Sequence, residues 1–207
     1  MFVCSKPAPS SLFCLARLGY PFRMLLEPVP GRECGDCNVC CRLHTIIDPA
    51  LKKPPGVMCQ HWAAGIGCSI YESRPGPCRG HHCGWRRIEQ FDDFWRPDRI
   101  NIYAEVKVEP NERFRHVLPD APFALKFTIL GSLDGERLGR LITTASSLIA
   151  NDVPVILAVA APPRHMGGFR LVNPELKAVA EGPDFAERFV QVIQELIAIP
   201  PVLVPLD

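Results

Sequence analysis

Cysteine spacing constrains this chain more than any other feature. Residues 34–41 read Cys-Gly-Asp-Cys-Asn-Val-Cys-Cys, a C-x2-C-x2-C-C run, and Cys59, Cys68, Cys78 and Cys83 follow it. Eight of the 10 cysteines in 207 residues therefore fall between positions 34 and 83. A C-x2-C turn brings two thiolates onto one metal while the intervening amides point at the sulfurs. Zinc takes four such ligands in a tetrahedron. Iron–sulfur clusters also take four, and C-x2-C-x2-C opens the ligation run of bacterial ferredoxins. The chain departs from that run at its next step: Cys41 follows Cys40 directly, where a ferredoxin has a cysteine three residues on and then proline. Adjacent side chains diverge in extended or turn backbone, so Cys40 and Cys41 are expected not to serve one mononuclear site equally. Eight thiols suit two four-cysteine sites, and the spacing alone leaves their pairing open.

Two further properties of this stretch agree with bound metal. Between Arg32 and Arg87 there are eight basic and four acidic residues. That excess offsets the negative charge left when two dications neutralise part of eight thiolates. Glycine and proline recur from Gly31 to Gly84, which leaves no apolar run able to build a large core. Such a segment needs another source of folding free energy, and a structural zinc supplies on the order of 10 kcal/mol.

The cysteine pattern, together with Ile70-Tyr71-Glu72-x-Arg74-Pro75 ahead of Cys78, resembles the cysteine-cluster family called CxxCxxCC, or YkgJ-type, over roughly residues 32–88. The resemblance implies an eight-cysteine zinc- or iron-chelating domain in which Cys34, Cys37, Cys40, Cys41, Cys59, Cys68, Cys78 and Cys83 are the ligands. It implies no particular reaction.

The formal net charge is +1, so no long-range field draws the chain to nucleic acid or anionic membrane. Arg79, Arg86 and Arg87 beside Trp85 make only a local basic patch, with no basic stripe. No run of 18 apolar residues is present, so no transmembrane helix is expected. Residues 1–23 lack the charged lead and apolar core of a signal peptide, and Pro7 and Pro9 interrupt them. A cytoplasmic location is therefore expected, with thiols that bind metal in preference to forming disulfides.

Three regions follow. Residues 1–30 are a proline-interrupted extension carrying Cys4 and Cys14, with Met24 an alternative start. Residues 31–99 are the metal-binding region, with short helices expected at Val39–Ile47, Ile70–Ser73 and Trp85–Phe94. From residue 100 the texture becomes α/β. Alternation predicts a strand at Ile100–Val108, and further strands are expected at 113–118, Phe123–Leu130, Val153–Val159 and Phe169–Val172. Helices are expected at Arg137–Asn151 and at Phe185–Ile199, the latter capped by Asp184 and stopped by Pro200. The fold class is α+β: a turn-rich, metal-stapled cysteine region packed on a mixed β-sheet with two helices.

The remaining motifs read as structural. His81 and His82, between Cys78 and Cys83, are candidate extra ligands; His44 and His61 read as hydrogen-bonded groups able to orient sulfurs. Arg74 reads as a donor to loop carbonyls. Gly131–Gly139 fits no phosphate-binding pattern and reads as a turn leading into a helix. No nucleophile–base pair, paired carboxylates or H-E-x-x-H stands out, so no catalytic residue is assigned and no protein partner is indicated. The leading function is chelation of zinc or iron by the eight cysteines. An iron–sulfur redox or transferase enzyme and a zinc-stapled interaction module are the alternatives.

Overall fold

The computed structural model describes residues 27–108 and 123–205. Cys4, Cys14, Met24 and the strand expected at 113–118 lie outside the described residues.

The first half is a lobe of short elements. Helix α1 (Val39–Leu43) leads into a hairpin of β1 (Ile46–Asp48) and β2 (Leu51–Lys53), closed where Ala50 N donates to Asp48 Oδ1 at 2.9 Å. The helix expected to run to Ile47 ends early, because Thr45, Ile46 and Ile47 are β-branched and two of them enter this hairpin. A second hairpin pairs β3 (Trp62–Ala63) with β4 (Gly67–Cys68). Gly67 has φ +81°, and a Cβ there would collide with the Gly35 carbonyl. Only glycine lets this hairpin press on the Cys34–Cys37 turn.

Residues 70–73 form turns, not the expected helix. Helix α2 (Gly76–Arg79) starts after Pro75 instead. Pro77 sits in its first turn, where a missing N–H costs nothing. Helix α3 (Gly84–Arg87) also stops short of its expected end, since Ile88 turns extended. A 3-10 turn at Asp93–Trp95, whose Asp92 carboxylate accepts from Phe94 N, and helix α4 (Pro97–Ile100) complete the connection.

The second half is built on a four-stranded mixed sheet. β5 (Ile102–Val108) is antiparallel to β6 (Phe123–Ile129), and β6 is parallel to β7 (Val155–Val159). The parallel pair is joined through helix α5 (Gly135–Ala150), as parallel strands require a crossover. β8 (His165–Met166) precedes β9 (Phe169–Leu171), which closes the sheet antiparallel to β7. Helix α6 (Asn173–Leu176) and helix α7 (Phe185–Ala198) follow, and β10 (Val202–Leu203) returns to pair with β8. The fold is α+β, with both helices and a mixed sheet. No described helix is long and apolar enough to cross a membrane.

Period-two alternation separates the two faces of the sheet. Ile102, Ala104, Val106, Leu125, Phe127, Val155 and Leu157 point to one side, where they pack with Leu141, Ala145 and Leu148 of α5 and Phe189, Val192 and Leu196 of α7. Trp85, Ile88, Phe91, Trp95 and Ile100 join this cluster, with Phe91 stacked on Trp95 at 4.2 Å. The opposite face carries Tyr103, Glu105 and Lys107 of β5, and the register sets Glu105 across from Lys126 and Tyr103 across from Thr128. Tyr103, Glu105 and Thr128 are nevertheless buried. Helix α3 sits directly on β5: a Cβ on Gly84 would lie 2.8 Å from the Ala104 Cβ.

Candidate metal centre

Between residues 31 and 83 only two apolar side chains are buried, Val39 and Leu51. The lobe is instead arranged around a cavity of about 300 Å³. Cys34, Cys37, Cys40, Cys41, Cys59, Cys68, Cys78 and Cys83 all line it, half-buried and as free thiols.

Each sulfur is placed by a tight piece of backbone. Cys37 N donates to Cys34 O at 3.0 Å and closes the first C-x2-C turn. Cys40 and Cys41 are consecutive residues of α1, about 100° apart around the helix. They diverge around the helix that was expected to begin at Val39. Cys59 N donates to Cys41 O at 3.1 Å, which ties those two residues together. Cys68 ends β4 opposite Trp62. Cys78 lies within α2, and its amide donates to Pro75 O at 3.0 Å. Cys83 stands at the N-cap of α3, and its carbonyl accepts from Arg86 N at 3.0 Å.

The thiols affect one another's ionisation in two sets. Burial pushes Cys37 up to about 11, with the neighbouring charges of Asp98 and Cys83 adding to the rise. Cys34 in turn acts on Cys83 and, with Cys37, on Cys40. The other set centres on Cys78, whose thiol is raised by burial and by Cys59, Cys41 and Cys68. The sets meet at α1. There the Cys40 thiol donates to Cys41, which lowers Cys41 to about 7, helped by Lys53 and Arg74, and raises Cys40.

Cations brace the thiols from the protein side. Lys53 is buried, and its ammonium donates to the carbonyls of Arg42 (3.0 Å), Pro54 (3.0 Å) and Val57 (2.8 Å). Burial lowers its pKa, while Cys59, Cys41, Cys40 and Cys78 act in the opposite direction. Arg86 Nη1 lies 3.7 Å from Cys34 Sγ and 3.3 Å from the Tyr71 hydroxyl. Burial opposes the Arg86 charge, but Cys34 and Tyr71 outweigh it and the pKa rises. Arg74 donates to Tyr71 O at 2.8 Å and stacks on the Tyr71 ring at 3.7 Å, which is the backbone-tying role read for it.

The histidines divide. His61 contacts Gln60, and His82 contacts Arg86 at 3.5 Å. Burial and the adjacent Arg86 and Arg87 lower His82 to about 4. His44 and His81 instead converge on β5. His44 Nε2 is 2.8 Å from the Tyr103 hydroxyl, His81 Nε2 bonds the same hydroxyl, and the two rings meet edge-on at 4.4 Å. Burial lowers His44 to about 3 and lowers His81 as well, so both are neutral at neutral pH. Burial works against the Glu105 carboxylate, but the surrounding cations hold its pKa below the usual range. His44, Lys107 and Lys126 supply that stabilisation. Lys107 Nζ lies 2.9 Å from Oε1, and Lys126 Nζ lies 4.0 Å from Oε2.

Tyr103 and Glu105 escape a reading of the sequence because alternation assigns them to the solvent side of a half-buried strand. The signal that was present is an acidic and an aromatic residue two apart on that side. The thiolate donor set fits zinc or thiolate-ligated iron, and the described residues thus hold side chains competent to bind metal. No family model matches the chain, and no curated protein or solved structure matches it either.

Proposed function

We propose that this protein binds zinc or iron through its eight cysteines in two four-thiolate sites, Cys34, Cys37, Cys40 and Cys83 in one and Cys41, Cys59, Cys68 and Cys78 in the other. The observation that carries the reading is the convergence of all eight thiols on one cavity in a lobe that buries two apolar side chains. The division into sets rests on the Cys34–Cys37 turn and on the Cys59–Cys41 backbone bond. It gives Cys40 and Cys41 one site each. The resemblance to the CxxCxxCC family supports the same ligands. A closed four-thiolate zinc has no open position, so in this reading the metal holds the lobe together.

One observation favours an iron–sulfur centre as the second reading. Among the described residues no three thiol sulfurs lie within 4.8 Å of one another. Four thiolates on one zinc stand about 3.8 Å apart, given a Zn–S bond of about 2.3 Å, whereas an iron–sulfur cluster is larger than a single ion and holds its ligands further apart. Such a centre would bring redox or transferase chemistry into play.

Cys37→Ser and Cys78→Ser test the reading, one in each set. Each variant is expected to lose the metal of its own set and to lower the thermal midpoint of the chain. Full metal stoichiometry and an unchanged midpoint in either variant would remove that cysteine from the ligand set.

A further inference from the structure

The cavity also contains a donor set to which no cysteine belongs. His44 caps the C-terminal end of α1, His81 lies between α2 and α3, and Glu105 projects from β5. One ligand atom from each lies within 4.8 Å of the other two. Three separated segments thus deliver two imidazoles and a carboxylate to one point where the lobe meets the sheet. All three residues line the cavity, and Glu105 is 5% exposed.

We propose that His44, His81 and Glu105 form a metal site of nitrogen and oxygen donors, separate from the thiolates, for a divalent first-row transition ion. Two histidines and one carboxylate are the ligand set of non-haem iron(II) centres, and the same donors also hold zinc. Three protein ligands leave coordination positions open, unlike a closed four-thiolate site. The carboxylate is already oriented: Lys107 bonds one oxygen and Lys126 stands beside the other, as outer partners of ligating carboxylates do. Tyr103 is hydrogen-bonded to Nε2 of both imidazoles, so Nδ1 of each is the nitrogen left for the metal. The open positions border a cavity that Lys53, Arg74 and Lys107 also line, so water or a small anion is the ligand that fits there.

The site stands independently of the thiolate reading, and cobalt(II) separates the two. The full chain, with its metal content measured as isolated, is titrated anaerobically with cobalt(II). Sulfur-to-cobalt charge-transfer absorption reports thiolate ligation. Hyperfine-shifted imidazole N–H proton resonances report histidine ligation. The wild type is expected to show one shifted resonance from each of His44 and His81. His44→Ala and His81→Ala each remove their own resonance and leave the charge-transfer band in place. Glu105→Gln, close in shape to the native residue, lowers the affinity of the histidine-bound cobalt by roughly tenfold or more. Tyr103→Phe keeps all three ligands and both resonances. Absence of shifted imidazole resonances in the wild type would overturn the proposal, as would their persistence in the histidine variants. Loss in Tyr103→Phe with full retention in Glu105→Gln would overturn it too, leaving a hydrogen-bonded His–Tyr–His network in place of a metal site.

Discussion

Lys53 shows at residue scale how the lobe is held. A lysine 4% exposed is costly unless all of its donors find partners, and its three carbonyl bonds stitch α1, β2 and the loop before Cys59 into one unit. Its charge also interacts with Cys59, Cys41, Cys40 and Cys78. Lys53→Met keeps the stem and removes the charged donor, so three carbonyls lose a partner together. The expected cost is about 2 kcal/mol, read as a lower denaturation midpoint, along with faster metal loss to a competing chelator. An unchanged midpoint and unchanged metal retention would show that the ammonium braces nothing. In the sequence Lys53 is an ordinary charge beside Lys52, because burial of a lysine depends on which carbonyls surround it, and spacing does not report that. Arg74 was more legible, since a guanidinium in a turn-rich loop finds a carbonyl whatever the detailed fold.

At the scale of elements, the two long helices differ in how they begin. Asp134 is the N-cap of α5, where its Oδ1 accepts from Arg137 N at 2.9 Å. Asp184, expected to cap α7, makes no side-chain cap bond. Asp134→Ala is therefore expected to cost about 1 kcal/mol and Asp184→Ala much less, measured by chemical denaturation of both variants. Equal losses would contradict the difference in capping. These helices and the long strands were legible because each spans enough residues for its period to show: Leu141, Ala145, Leu148 and Ile149 do face the core together. The short helices were not. Elements of four or five residues such as α2 and α3 take their limits from local turns, and they carry too few residues for a period. β5 was legible from its alternation but the burial of its outer face was not, because the lobe covers Tyr103 and Glu105 through contacts remote in sequence.

Across the whole molecule, stability is divided by position. The apolar core lies between the sheet and helices α5 and α7 and extends along the chain only as far as Trp85. The lobe before it has almost no apolar burial of its own, so its order is expected to depend on metal. Chelation should raise hydrogen exchange across residues 31–83 while β5, β6, β7, α5 and α7 stay protected. Uniform protection after metal removal would mean that the lobe is self-supporting. The most direct test of the central claim is elemental analysis of protein purified anaerobically without added metal, with an absorption spectrum from the same sample. Thiolate-bound metal in stoichiometric amount is predicted: about two zinc per chain with no visible band, or iron with matching sulfide and a broad band near about 400 nm. A folded chain carrying no stoichiometric metal would contradict it.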